Sequence, residues 1–99
     1  MLVVLWQYEV RLDAEADFEA LYGRDGAWVE LFRDCPGYID TQLLRAGQPR
    51  HYLTIDRWAS AADYDAFLGA AHSRYAQINA RGDTLTLTER CFGRYETPC

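Results

Sequence analysis

An α+β domain is predicted, a ferredoxin-like split βαβ fold with one four-stranded antiparallel sheet. Two features of the 99-residue chain carry that expectation. The first is a short text written twice: the run from Leu12 to Leu21 aligns without gaps on the run from Trp58 to Phe67. Ala16/Ala62, Asp17/Asp63 and Ala20/Ala66 are identical, and Phe18/Tyr64, Glu19/Asp65 and Leu21/Phe67 are close in kind. The second is that each copy follows a strand-like run, Leu2–Arg11 in one case and His51–Arg57 in the other. A strand–helix–strand unit used twice is the simplest structure with that pattern.

Leu2–Arg11 alternates, with Leu2, Val4, Trp6, Tyr8 and Val10 on one face and Val3, Leu5, Gln7, Glu9 and Arg11 on the other. Asp13 is an expected N-cap for a helix carrying Phe18, Leu21 and Tyr22, which Gly23 stops. A second short helix presents Trp28, Leu31 and Phe32 and ends at Cys35-Pro36-Gly37. Tyr38–Arg45 is strand two, Gly47-Gln48-Pro49 a hairpin turn, and Arg50–Trp58 strand three. Ser60 caps the helix of the second copy, and Gly69 divides it from another in which Ala71/His72, Tyr75 and Ile78 continue the apolar stripe. Gly82-Asp83 closes that helix, and the Thr-rich alternation from Thr84 to Tyr95 is strand four. With all helices on one face, the other is left bare. Its apolar part, assigned to Val3, Leu5, Leu43 and Leu53, predicts a covering sheet and hence a homodimer.

One domain is what this length supports. The net charge of −5, with no Lys among ten basic residues, disfavours a nucleic-acid partner and an acidic membrane surface alike. No apolar run reaches the roughly 20 residues of a bilayer span, and Met1–Leu5 runs directly into a strand without a basic n-region. Cys35, Cys91 and Cys99 are odd in number and widely spaced, which points to a reducing cytoplasm; Cys99 is expected to be exposed, and no CxxC or CxxH spacing suggests a metal.

Chemistry concentrates at strand three. Tyr52, Thr54, Asp56 and Trp58 share one of its faces, a polar and aromatic set unusual beneath helices. If that face continues the Val4/Trp6/Tyr8 face of strand one, a cleft between sheet and helices is lined by Trp6, Tyr8, Tyr52, Thr54, Trp58 and Tyr64. Such a cleft suits a flat organic ligand, and the same residues also suit a core whose aromatic tips are internally paired. His72, near Leu68 and Tyr75, is either a hydrogen-bonded structural residue or a proton carrier. The paired carboxylates Asp17/Asp63 and Glu19/Asp65 complement helix dipoles without a catalytic role. Neither a phosphate-cradling loop nor a Gly-x-Ser-x-Gly elbow is present.

Trp58-Ala-Ser-Ala-Ala-Asp-Tyr-Asp-Ala-Phe67 resembles the W-x-S-x-x-x-[FY]-x-x-[FW] core of the antibiotic biosynthesis monooxygenase family. Pro36-Gly37-Tyr38 resembles that family's entry to its second strand, and the Glu89 to Gly93 stretch its last strand. The resemblance spans essentially the whole chain and implies a dimeric α/β barrel. It also implies a cofactor-independent monooxygenase, working without metal or flavin on a small phenol- or quinol-type aromatic ligand. Trp58 and Tyr64 would position the ring, Tyr8 and Tyr52 would supply hydrogen bonds, and His72 would move protons. Members of this kind carry an Asn four residues before the Trp, where this chain has Thr54. The alternative that stays open is a ligand-binding or stress-response module of the same fold with no chemistry.

Overall fold

A computed structural model describes residues 1–70 and 72–98, apart from the side chain of His72. The elements follow in the order β1 (Leu2–Val10), α1 (Glu15–Tyr22), α2 (Ala27–Arg33), β2 (Tyr38–Arg45), β3 (His51–Trp58), α3 (Ala61–Ala70), α4 (His72–Asp83) and β4 (Thr86–Glu96). The sheet order is β2-β3-β1-β4 with every neighbouring pair antiparallel, the ferredoxin-like arrangement expected. The two copies of the repeated text become α1 and α3, each following a central strand. Phe18 and Phe67 plant their rings on that face, Phe18 against Tyr8 at 5.2 Å and Phe67 against Trp58 at 5.3 Å. Leu2, Val4, Tyr8, Val10, Tyr52 and Trp58 carry the covered face of β1 and β3 into the core.

Several local expectations change. Asp13 does not cap α1: it takes a left-handed conformation (φ 65°), and Ala14 occupies the cap position with no side-chain hydrogen bond. Ser60 does cap α3, its Oγ accepting the Asp63 backbone N–H at 3.1 Å. That helix runs through Gly69 to Ala70, and β4 starts at Thr86 rather than Thr84. Ala71 and Cys99 lie outside the described residues.

Strand β2 contains an irregularity that decides which side chains face where. Tyr38 pairs with Trp58, but Asp40 pairs with Arg57, so Ile39 is an extra residue in the ladder. Because strand side chains alternate, one extra residue reverses the facing of everything after it. Thr41 lands opposite Asp56 and Leu43 opposite Thr54, on the helix-covered side, while Leu44 faces Leu53 on the bare side. The bare apolar face is therefore Val3, Leu5, Leu44, Leu53, Ile55 and Tyr95, and the expectation for Leu43 is corrected to Leu44. Leu44 and Tyr95 keep 38% and 53% of their surface in contact with solvent. Among the described residues no helix is long and apolar enough to cross a membrane.

Candidate functional site

Between the covered face of the sheet and the helices lies a cavity of about 40 Å3. Strand β1 contributes Trp6 and Tyr8, β2 Thr41, β3 Thr54 and Asp56, and β4 Glu89. The helices contribute Tyr22 from α1, Trp28 and Phe32 from α2, Tyr64 and Phe67 from α3, and Tyr75 and Asn79 from α4. The wall is thus aromatic, with two carboxyls, an amide and hydroxyls set into it. Among the described lining residues there is no Arg and no His. Half-buried Trp6, Tyr64, Tyr75 and Asn79, together with exposed Glu89, form the side nearest solvent. An engineered cavity of about 150 Å3 accepts benzene. A ring is therefore not fully enclosed in this smaller space.

Of the residues the sequence singled out, Trp6, Tyr8, Thr54 and Tyr64 come together in this wall, while Tyr52 and Trp58 do not. Tyr52 keeps its ring in the core but donates its hydroxyl to Glu19 Oε2 at 2.6 Å. Glu19 is itself gripped by Arg45, at 2.8 Å from Nη2 to Oε1 and 3.1 Å from Nε to Oε2. A carboxylate already aligned by a guanidinium is a strong acceptor, and it draws the phenol away from the cavity. The Arg45 bonds first, and the Tyr52 bond second, hold the Glu19 carboxyl below its ordinary range. Burial, and then the Glu19 bond, push Tyr52 up to about 12.

Trp58 is completely buried one layer behind the wall. Its ring meets Phe32 at 5.6 Å, Tyr38 at 5.4 Å and Tyr64 at 5.5 Å, and its Nε1 finds no acceptor among the described residues. Its place at the end of β3, beneath the first turn of α3, makes it a support for Tyr64 and Phe67 rather than a surface a ligand touches. Tyr64 has Arg94 over its ring at 4.9 Å, and Arg94 is anchored to Asp65 at 2.8 Å. Burial pushes the Tyr64 phenol up to about 12, so it stays protonated and able to donate at neutral pH. The catalytic assignment of His72 lies outside the described residues.

Sequence reasoning passed over Asp56, Asn79 and Glu89. Asp56 stood on the covered face by simple alternation, and a carboxylate at such a position was the available signal. Its Oδ1 accepts the Thr41 hydroxyl at 2.7 Å, and Thr41 in turn accepts the Tyr38 hydroxyl at 2.9 Å. Burial pushes the carboxyl up to about 6, against the opposing pull of the Thr41 bond. Asn79 is signalled only by its spacing of four from Tyr75, on the same face of α4. Glu89 is raised as well, by burial first and then by Asp83. Two further polar atoms of the wall, Tyr22 Oη and Trp28 Nε1, are buried without a hydrogen-bond partner. Trp28 lies near enough to temper the rise that burial imposes on Tyr22, without closing a well-aligned bond.

The profile of the antibiotic biosynthesis monooxygenase family matches residues 1–78. No curated protein sequence matches the chain. SnoaB, a cofactor-independent oxygenase from Streptomyces nogalater, superposes with a TM-score of 0.80 at 19% identity, over 99% of this chain and 93% of that one. A putative antibiotic biosynthesis monooxygenase from Nitrosomonas europaea gives 0.75 at 14% identity, over 98% of both chains. Rv0793 from Mycobacterium tuberculosis gives 0.70 at 17% identity, over 99% and 98%. At such identities these likenesses establish the fold.

Proposed function

Because the chain belongs to the antibiotic biosynthesis monooxygenase family, we propose that it is a cofactor-independent oxygenase acting on a small aromatic phenol or quinol in the cavity of each protomer. The observation that carries this proposal is the cavity wall itself: aromatic on most sides and interrupted by hydroxyls, one amide and a buried carboxyl. Aromatic walls hold a flat ring by stacking and burial, and a few polar groups fix its orientation. Tyr64 and Trp6 flank the ring, Tyr8 and Thr54 offer hydroxyls, and Trp58 keeps the Tyr64 side of the wall in place. Thr54 cannot offer the two N–H donors of an Asn. Asn79, reaching the same cavity from α4, supplies that amide instead. With acidic side chains and no described cation in the wall, the site favours uncharged phenols over carboxylated ones. SnoaB, with the same fold, is described as a cofactor-independent oxygenase, which supports the reaction class. The bare apolar sheet face would be covered by a second copy, giving a homodimer, and a cytoplasmic setting fits the three scattered cysteines.

Oxygen uptake with anthrones and dihydroxynaphthalenes tests the proposal. Wild type should consume oxygen with at least one of them. Tyr64→Phe should lose about tenfold in kcat/KM, one hydrogen bond's worth, at an unchanged melting temperature. Trp58→Phe, which loses no hydrogen bond, should fold and retain activity, whereas Trp58→Ala should lose roughly 3–5 kcal/mol of stability. Equal, background-level uptake by wild type and Tyr64→Phe would sink the oxygenase. The position of Thr54 favours the second reading, a binding module without chemistry; aromatic binding with no turnover would select it.

A further inference from the structure

Asp56 is tied to the fold by a single side-chain hydrogen bond. It sits on the covered face of β3 with 8% of its surface exposed, and one carboxyl oxygen is bonded to Thr41. The residue lines the cavity, and its one hydrogen bond among the described residues is the one it accepts from Thr41. Thr41 has spent its only proton on Asp56 and one of its two lone pairs on Tyr38, so the chain from Tyr38 through Thr41 holds the carboxyl from one side only. The groups on the covered side near Asp56 are Tyr38 and Thr41 from β2, Tyr8 from β1 and Tyr64 from α3, with Tyr75 from α4 and Glu89 from β4 in the same cavity wall. Asp40, beside Arg57, acts on it from the opposite face of the sheet. None of those on the covered side is a cation. An ion pair is therefore not what keeps this carboxyl in place.

We infer that Asp56 is the proton acceptor for a substrate phenol, with Thr41 and Tyr38 as positioning residues. The inference rests on the oxygenase proposal and names the group that takes the hydroxyl proton of its phenol substrate. The phenol O–H bond breaks, a new O–H bond forms at the carboxyl oxygen left free by Thr41, and the electron pair stays on the substrate oxygen. The product of the step is a phenolate beside a neutral carboxylic acid. Phenolates give up electrons to dioxygen far more readily than phenols do. A carboxyl titrating near 6 is ionised at neutral pH, yet is a stronger base than an ordinary aspartate.

Two probes differing only in the proton in question separate the outcomes: 1-naphthol and 1-methoxynaphthalene, bound anaerobically between pH 5 and 8 and followed by tryptophan fluorescence. Naphthol should bind wild type roughly tenfold more tightly above pH 6 than below it, the gain of a charge-assisted hydrogen bond. The ether should show no such gain. Asp56→Asn should bind both without pH dependence, and Thr41→Val should move the midpoint to higher pH, because the lost hydrogen bond had favoured the ionised carboxyl. In oxygen uptake, Asp56→Asn should lose at least about 100-fold in kcat, the usual scale of general-base catalysis, with KM little changed. Naphthol affinity independent of pH in wild type, or a pH dependence that survives in Asp56→Asn, overturns the inference. Active turnover in Asp56→Asn overturns it and leaves the oxygenase standing. Intact pH-dependent naphthol binding without any oxygen uptake does the reverse.

Discussion

At residue scale, Asp56 leaves a signature in stability as well as in binding. Its folded carboxyl titrates at about 6 against an ordinary 3.8. A raised carboxyl contributes stability that is fully present below 3.8 and is lost as pH rises through 6. Over that interval the loss amounts to about 3 kcal/mol. Glu89 shifts in the same direction and Glu19 in the opposite one, so the informative quantity is the difference between wild type and Asp56→Asn. Urea denaturation should show Asp56→Asn gaining on wild type by about 3 kcal/mol between pH 3.5 and 7. A constant difference across that range would mean the carboxyl is well solvated. Alternation alone put Asp56 on the correct face of β3, together with Thr54. The sequence could not tell that Tyr52, on the same face, turns its hydroxyl to Glu19, because that depends on Arg45 arriving from another strand. Asn79 and Glu89 stayed hidden for a similar reason: they reach the cavity from elements whose packing no local pattern encodes.

At element scale, the link from α2 through Pro36-Gly37 to β2 has a tightly constrained backbone. Gly37 has φ +89°, a left-handed conformation that side chains rarely adopt. A Cβ there would lie 2.5 Å from the Asp63 Cβ at the start of α3. Its carbonyl also accepts the Ala59 N–H at 2.7 Å, tying the turn to the end of β3. Gly37→Ala should therefore destabilise by about 1–3 kcal/mol, read as a lowered denaturation midpoint, while Gly47→Ala, in open space, should be nearly silent. The eight elements and their order were legible because periodicity and turn residues are local properties. Asp13 misled because Asp is as much at home in a left-handed turn as at a cap. The ladder irregularity at Ile39 has no composition signal of its own.

For the whole molecule, a sheet with helices on one side leaves Val3, Leu5, Leu44, Leu53, Ile55 and Tyr95 on the other. Leu53→Asp, at the middle of that face and away from the cavity, should convert a dimer to a monomer in light scattering without disturbing naphthol binding to the remaining folded chain. A wild type that is monomeric at tens of micromolar would contradict the proposed assembly. The cavity and this outer face are separate territories, but β2 serves both, and Ile39 sets which of its residues goes to which. Removing that single residue would exchange the two duties: Thr41 would turn outward and abandon Asp56, while Leu44 would turn inward. Loss of two residues would preserve the parity. The spacing between Gly37 and Thr41 thus behaves as a reading frame, in which single-residue insertions and deletions are forbidden far more strictly than substitutions.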